Sequence, residues 1–265
     1  DVTVALPASL YNEVDRLEIQ GVRSAASQYL IDARSKRRNA GLVFEEQSNP
    51  PQALLSESHY IEKALLPFYT LQKGSLLALM DADVSVIFLG DVGTLASEDE
   101  IALRRWIEAG GTLVRFSGPK LANATTELTP VRLRDGSRNL DGSISWTKPA
   151  PLGDFPENSP FANLPKPDDV SVKKQVLAIP SVDLSDKTWA VLSDGTPLVT
   201  GDAWGEGHIV LFHTSATPSW SNLALSGLFV EMLRDIGQLS RNNAQEFKVS
   251  DPLPPLNLLN GFGDF

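Results

Sequence analysis

The sequence contains no cysteine among its 265 residues, and this absence limits the chemistry available to the protein. Without a thiol, neither a cysteine nucleophile nor a disulfide can form. The three histidines are accompanied by neither a His-x-x-x-His pair nor a cluster of aspartates. Because metal sites are built from those residue types at such spacings, we expect no metal site and no cofactor.

Long hydrophobic runs and excess positive charge are missing as well. No apolar run reaches the roughly 20 residues of a membrane-spanning helix, and the chain opens without a signal-peptide pattern. The 23 Lys and Arg residues against 33 Asp and Glu give a net charge of −10, which disfavours nucleic acid and anionic membranes as partners. A hydrophobic content of 42% is enough to fill a core, so we expect a soluble globular chain. Because it begins on Asp1 and ends in a Pro- and Asn-rich tail, we expect it to be cut from a longer protein.

The stretch from 83 to 120 carries the clearest pattern of secondary structure. An apolar run at 84–89 predicts a strand buried on both faces, and a second run at 112–116 predicts another. Between them, Ser97 and Glu100 have the spacing of a capping box, and apolar residues follow at helical spacing up to a double glycine. This order of strand, helix and strand predicts a parallel α/β unit.

The same alternation defines a main domain over 41–240. Strands and helices alternate from 41 to 117, which predicts an α/β fold with a parallel sheet between two layers of helices. HIVLF (208–212) predicts a further buried strand, and the apolar face over 221–239 predicts a long final helix. Between these parts, 128–201 contains short β-rich runs separated by turn residues, which predicts an antiparallel insertion.

Both ends of the chain are predicted to lie outside this domain. Apolar and polar residues alternate at 2–6 and 16–20, which predicts short strands within an N-terminal β segment spanning 1–40. At 29–31 the pattern fits a helix or a strand, and we favour the strand. Residues 241–265 lose periodicity and predict an extended tail.

Two residues at the ends of predicted strands are candidates for catalysis. Ser117 occupies the strand-to-turn position of a nucleophile elbow, and His213 ends the strand HIVLF, where it would serve as the base. However, RFSGPK (115–120) lacks the elbow glycine two residues before the serine, and Ser215 stands where an orienting carboxylate would be expected. We therefore favour a turn serine and a structural histidine, and keep a Ser117–His213 hydrolase as the alternative.

Three further residues are candidate ligand contacts at the same edge of the sheet. Asp91 has the chemistry of a base or a cation ligand, although an Asx turn in GDVGT is the favoured interpretation. Gly118 permits close approach to the backbone, and Thr214 offers a hydroxyl beside His213. A weaker alternative is a carbohydrate-binding groove lined by tryptophans, namely Trp146, Trp189 or Trp204.

Three stretches carry a resemblance to a known family: GGTLVRFSGPKLA (110–122), DGTPLVTGDAWGEGHIVLFHTSATPSWSNLALSGLFVEMLR (194–234) and PPLNLLNGFG (254–263). Together they resemble the middle part of large bacterial membrane proteins of unknown function. Such proteins begin with an aerotolerance-type double-transmembrane segment and carry a further domain of unknown function downstream. Within this part, residues 41–240 resemble a class I glutamine amidotransferase-like domain. The resemblance therefore implies a flavodoxin-like parallel sheet with a β-rich insertion.

The resemblance also implies what the site has lost. It places Ser117 near the catalytic cysteine of amidotransferases, and VLFH (210–213) at the strand that ends in their catalytic histidine. The cysteine is absent, and the glutamate expected two residues after the histidine is Ser215. The resemblance thus implies a pseudoenzyme: a non-catalytic module that binds a protein partner or a small ligand. It also implies that the chain is the soluble part of a bacterial inner-membrane protein, and of the two sides of the membrane we favour the periplasmic one.

Overall fold

The computed structural model describes most of the main domain and parts of the two chain ends. The described residues are 14–22, 24–30, 38–44, 56–82, 84–124, 126–134, 144–240 and 260–262, with the side chains of 144–147 excepted. They fall into two units, one within Asp1–Arg38 and Asn242–Phe265 and the other within Asn39–Arg241. The strand predicted at 2–6 and nearly all of the predicted tail lie outside the described residues.

The smaller unit contains a two-stranded antiparallel sheet. Its strands are β1 (Arg16–Glu18) and β2 (Gln28–Leu30), so the strand favoured for the second segment forms. Of the helical alternative, the described residues contain a 3-10 turn at Ala25–Ser27. The N–H of Ala25 donates to the carbonyl of Gly261 at 3.2 Å, which joins the N-terminal and C-terminal parts of this unit.

The larger unit is built on a seven-stranded sheet. The described strands from here on, in chain order, are β3 (Arg38–Val43), β4 (Tyr69–Lys73), β5 (Val86–Leu89), β6 (Thr112–Phe116), β7 (Ile144–Pro151), β8 (Ser171–Gln175), β9 (Thr188–Val191), β10 (Pro197–Trp204) and β11 (Gly207–Phe212), and all of them except β7 and β8 belong to this sheet. The sheet has the order β4-β3-β5-β6-β11-β10-β9. Strands β3, β5, β6 and β11 are parallel, whereas β10 is antiparallel to β11 and to β9. The predicted α/β fold with a largely parallel sheet is confirmed.

Helices cover both faces of this sheet. They are α1 (Glu57–Leu65), α2 (Leu76–Asp81), α3 (Ser97–Glu108), α4 (Pro119–Ala122) and α5 (Gly227–Leu239). Because side chains alternate along a strand, Val86 and Phe88 of β5 pack with α1 and α5, whereas Ile87 and Leu89 pack with α2 and α3. The sheet is therefore the middle of three layers, as the alternating pattern predicted.

The predicted capping box at the start of α3 does not form. The helix begins at Ser97 itself, and the N-cap position is Ala96, which has no side chain able to accept a hydrogen bond. Ser97 and Glu100 both lie inside the first turn, where acidic residues interact favourably with the free backbone N–H groups. The final helix also starts later than the apolar pattern suggested, after Ser226, whose hydroxyl accepts from the N–H of Phe229 at 3.3 Å.

The β-rich stretch from 128 to 201 is divided between two sheets. Strands β7 and β8 form an antiparallel pair of their own, whereas β9 and most of β10 extend the edge of the main sheet. The segment GDAWGEGH forms the predicted hairpin between β10 and β11, with Gly205 at φ 62°, in the region that glycine adopts without strain. The insertion therefore supplies part of the central sheet as well as a separate β layer.

Three aromatic rings pack against one another at the carboxyl ends of β6 and β11. Phe116 and Phe212 stack with ring centroids 4.8 Å apart, and Phe229 of α5 meets both rings edge-on at about 6 Å. All three side chains are almost completely buried. Because rings in such contact add stability beyond their buried area, they hold the carboxyl ends of the two strands together.

Replacement of Gly237 by alanine is expected to destabilise the larger unit. Gly237 lies in α5, and a Cβ there would overlap the hydroxyl of Tyr69, which donates to the carbonyl of Leu233. Alanine favours helices by about 1 kcal/mol over glycine, but overpacking a core costs about 1–3 kcal/mol, so we expect a net loss. Urea denaturation measures it. Gly227→Ala in the same helix, where nothing lies within 4 Å, is the control, and equal stabilities of the two variants would contradict the packing.

Candidate functional site

The candidate residues meet at the carboxyl edge of the parallel strands. In the ladders, Leu89 of β5 pairs with Arg115 of β6, and Phe116 pairs with Phe212 of β11, so the three strands end side by side. The residues that follow them are therefore at one edge, where α/β proteins bind ligands: Asp91 after β5, Ser117 and Gly118 after β6, and His213 and Thr214 after β11.

Ser117 is fully buried and its polar atoms face the neighbouring strand. Its backbone N–H and its hydroxyl both donate to the carbonyl of Phe212, at 2.9 and 2.8 Å. A hydroxyl has one proton, and here a carbonyl that can only accept takes it. The hydroxyl is therefore part of the connection between β6 and β11 and is not directed at a base.

His213 is fully buried, and both ring nitrogens have partners within the protein. Nδ1 lies 2.8 Å from the carbonyl of Val176, and Nε2 lies 3.0 Å from Oγ1 of Thr200. Because the carbonyl only accepts, Nδ1 carries the proton and Nε2 accepts from the threonine hydroxyl. Burial lowers the pKa of His213 to about 4, against a smaller opposing effect of the hydrogen bond to Val176. The imidazole is neutral at physiological pH.

Ser117 and His213 share an edge but do not form a catalytic pair in this structure. Among the described residues, no hydrogen bond joins them, and each is bound to other groups. The hydroxyl of Ser215 lies 3.0 Å from Oε1 of Glu57, so this position does not orient the imidazole either. A serine nucleophile needs a base within hydrogen-bond reach and a third group that orients the base. The hydrogen bond between serine and base is absent for these two described residues, and the group that orients the imidazole is the carbonyl of Val176 in place of a carboxylate.

The side chain of Asp91 caps the start of the short helix α4, and Gly118 leaves room for it. The carboxylate of Asp91 accepts from the N–H groups of Lys120, at 3.0 Å, and Leu121, at 2.9 Å. A carboxylate at a helix N-terminus satisfies donors that have no partner in the helix. Any Cβ on Gly118 would collide with this carboxylate, so the glycine allows the close approach. Asp91 therefore caps a different segment, in place of the Asx turn favoured from GDVGT.

Strand β8 covers the same edge through backbone contacts. The hydroxyl of Thr214 donates to the carbonyl of Lys174 at 3.0 Å, and the N–H of Val176 donates to the carbonyl of His213 at 2.8 Å. The cavity next to these residues has at most about 150 Å³, and its lining includes Phe116, Phe212 and Phe229 together with Thr214 and Ser215. Pockets for drug-sized ligands occupy roughly 300–1,000 Å³, so this cavity is too small for one.

Glu57 is a member of the edge that sequence reasoning missed. It lies in the first turn of α1, and its carboxylate accepts from the N–H of Asp91 at 2.9 Å and the N–H of Ala216 at 3.1 Å, besides the hydroxyl of Ser215. Burial raises the pKa of Glu57, and the three hydrogen bonds oppose that rise. Its sequence neighbourhood shows only a glutamate at a helix start, so no local signal indicated the contact.

Arg115 is the second missed member, and it did have a signal. It is fully buried on β6, and its guanidinium donates to the carbonyls of Val92 at 2.7 Å and Leu128 at 3.1 Å. Its Nε has no partner among the described residues. Burial lowers the pKa of Arg115 to about 10, while the charge of Asp91 opposes the shift. A charged residue inside the apolar run TLVRF was the visible signal of a buried structural cation.

The remaining predictions concern metals, tryptophans and membranes. Among the described residues, no group of three or more His, Asp or Glu side chains is placed to hold a metal ion. Trp189 is buried, and Trp204 is half-buried with the guanidinium of Arg104 5.3 Å above its ring, whereas the side chain of Trp146 lies outside what is described. No helix in the described part of the chain is both long and apolar enough to cross a bilayer.

Comparison with known proteins identifies the fold. The chain is similar to the cytoplasmic protein STM3548 from Salmonella typhimurium, with a TM-score of 0.57 and 12% identity over 77% of this chain and 98% of that chain. It is also similar to a ThuA-like protein from Bacteroides uniformis, with a TM-score of 0.52 and 13% identity over 77% of this chain and 91% of that chain. No family description and no curated protein matches the sequence. At these identities the likenesses show a common α/β fold alone.

The buried neutral His213 is expected to make stability fall with acid. Its pKa is about 4 in the folded chain and 6.5 ordinarily, so stability from the neutral ring is complete above pH 6.5 and is lost as the pH falls toward 4. The loss amounts to roughly 3 kcal/mol from the pKa difference. Urea denaturation across this range measures it. His213→Gln should flatten the dependence and His59→Gln should not, and parallel curves for wild type and His213→Gln would contradict the assignment.

Proposed function

We propose that this chain is a non-catalytic binding module on a scaffold of the class I glutamine amidotransferase-like, flavodoxin-like type. The proposal rests on one observation: both candidate catalytic groups are already hydrogen-bonded within the chain. The Ser117 hydroxyl donates to the carbonyl of Phe212, and both nitrogens of His213 are bound to Val176 and Thr200. Groups that are hydrogen-bonded in this way connect neighbouring strands and are not available to attack a substrate.

The fold supports the choice of scaffold. The sheet has parallel strands β3, β5, β6 and β11 at its centre, with helices on both faces, and the ThuA-like protein shares this architecture. On such a scaffold, ligands approach the carboxyl edge of the strands. The edge of this chain retains polar groups and partial solvent exposure at Glu57 and Asp91, so binding of a ligand or a protein partner is the function that this arrangement favours.

The location of the module follows from the resemblance of its sequence to bacterial membrane proteins. We propose that the parent protein is anchored in the inner membrane by a double-transmembrane segment of the aerotolerance type. This chain would then be its soluble domain, on the periplasmic side. The net charge of −10 supports a partner other than nucleic acid, because a nucleic-acid site requires clustered positive charge.

Labelling with a fluorophosphonate tests the non-catalytic function against the hydrolase alternative. The reagent reacts with serines that a base activates, and Ser117 has no such base, so we expect no labelling that depends on it. Wild type, Ser117→Ala and Ser219→Ala are compared after their folding is verified by circular dichroism, with an active serine hydrolase as reagent control. Ser219 is exposed and serves as the matched variant. Labelling that disappears in Ser117→Ala and persists in Ser219→Ala would establish the hydrolase in place of the binding module.

A further inference from the structure

Three hydrogen-bond donors from two different loops meet at the carboxylate of Glu57. Oε2 accepts from the N–H of Asp91, in the loop after β5, at 2.9 Å. Oε1 accepts from the hydroxyl of Ser215 at 3.0 Å and from the N–H of Ala216 at 3.1 Å, both in the loop after β11. Both oxygens are thus bound, in the manner in which proteins hold the carboxylate of a ligand.

The loop after β5 leaves room for this carboxylate because a glycine lies beside it. Gly90 precedes Asp91, and a Cβ at Gly90 would lie 2.8 Å from Oε2 and 2.5 Å from the ring of Phe44, so a side chain there would force the carboxylate away. Ser215 and Ala216 are almost completely buried, whereas Glu57 and Asp91 remain partly exposed. The donors therefore lie inside the surface, beside two residues that keep part of their own surface exposed.

The Glu57 side chain binds these two loops and does not cap the start of its own helix. Ser56, the N-cap of α1, makes no capping hydrogen bond with its side chain among the described residues, and its hydroxyl lies 2.5 Å from that of Ser58. The Glu57 carboxylate is directed instead at loops that are 34 residues away at Asp91 and 158 away at Ser215 in the sequence. The two loop N–H groups would have no partner at the site without a carboxylate.

Two charged side chains, Asp91 and Arg115, are bound at the loop after β5. The carboxylate of Asp91 is like-charged to Glu57, but it is bound to the N–H groups of Lys120 and Leu121. The guanidinium of Arg115 binds the carbonyl of Val92 in the same loop as Asp91, and brings a buried positive charge to that loop. The like charge of Asp91 acts with burial to raise the pKa of Glu57, and the three hydrogen bonds to the carboxylate oppose both effects.

We infer that the loops after β5 and β11 form a carboxylate-binding site, which Glu57 occupies from within the chain and which a small monocarboxylate occupies when Glu57 is withdrawn. The site takes the anion of a carboxylic acid through two backbone N–H groups and the Ser215 hydroxyl. This inference gives the chemical class of ligand for the binding module and rests on that proposed function. In the resting chain the Glu57 side chain fills the site, so a ligand must displace this side chain to bind.

Chemical rescue of Glu57→Ala tests the site. Removal of the carboxylate leaves the donors unsatisfied, and we expect the melting temperature to fall by roughly 4–8 °C. Sodium acetate or formate, compared with sodium chloride at equal ionic strength, should restore at least half of the loss with saturable dependence on concentration. In 15N-resolved NMR spectra of the same titration, the amide protons of Asp91 and Ala216 should move progressively. Acetamide, which is neutral and similar in shape, should restore nothing.

Matched variants decide how the rescue is interpreted. Glu98→Ala removes an exposed glutamate from the first turn of α3 and should show neither the loss nor the rescue. Glu57→Gln keeps the volume and one acceptor oxygen, so it should be destabilised but remain closed to acetate. Ser215→Ala combined with Glu57→Ala removes one donor and should weaken the apparent affinity for acetate by roughly ten-fold or more, because a hydrogen bond to a charged group contributes at least the energy of a ten-fold change in affinity.

The outcomes separate this site from the proposed function. If Glu57→Ala does not fold in chloride, recovery of the folded spectrum in acetate supports the site, and failure in acetate and chloride alike overturns it. Acetate that acts no better than chloride or acetamide on folded Glu57→Ala also overturns it. Ser117-dependent fluorophosphonate labelling would overturn the non-catalytic function while leaving the carboxylate result to be judged by itself.

Discussion

The parallel pairing of β6 with β11 brings the ends of these two strands together, and the hydrogen bonds at those ends determine what the edge of the sheet can do. The carbonyl of Phe212 accepts from both the N–H and the hydroxyl of Ser117. One residue later, His213 directs its ring to Thr200 on β10 and to Val176 just after β8. The serine and the imidazole therefore connect neighbouring segments, and the stacked rings of Phe116 and Phe212 support the same junction.

Burial explains why the polar groups of this edge are paired within the chain. A buried donor or acceptor without a partner costs about 1–3 kcal/mol, so a closed edge must supply partners for most of its polar groups. Asp91 satisfies the N–H groups that open α4, Glu57 satisfies those of two loops, and Arg115 binds carbonyls on either side of it. The side chains that close the edge are thus the same ones that stabilise it.

Local patterns predicted the framework well because they depend on short-range periodicity. The apolar runs at 84–89 and 112–116 became β5 and β6, and their parallel pairing placed Asp91 and Ser117 at one edge as expected. The hydrogen-bond partners of the polar side chains at this edge were not predictable from local patterns, because they come from distant parts of the chain. Glu57 meets Ser215 across 158 residues, and His213 meets Val176 across 37. The capping box failed by one position, since spacing alone does not distinguish an N-cap serine from the first helical residue.

The central claim is that Ser117 and His213 serve the structure separately, and the 15N spectrum of the His213 imidazole tests it most directly. At neutral pH, the account predicts the tautomer protonated at Nδ1, with Nε2 as acceptor from Thr200, since the carbonyl of Val176 fixes the proton. It predicts that Ser117→Ala leaves both ring-nitrogen resonances unchanged and that Thr200→Val moves the Nε2 resonance. A ring protonated at Nε2, or resonances that move in Ser117→Ala and not in Thr200→Val, would contradict the account.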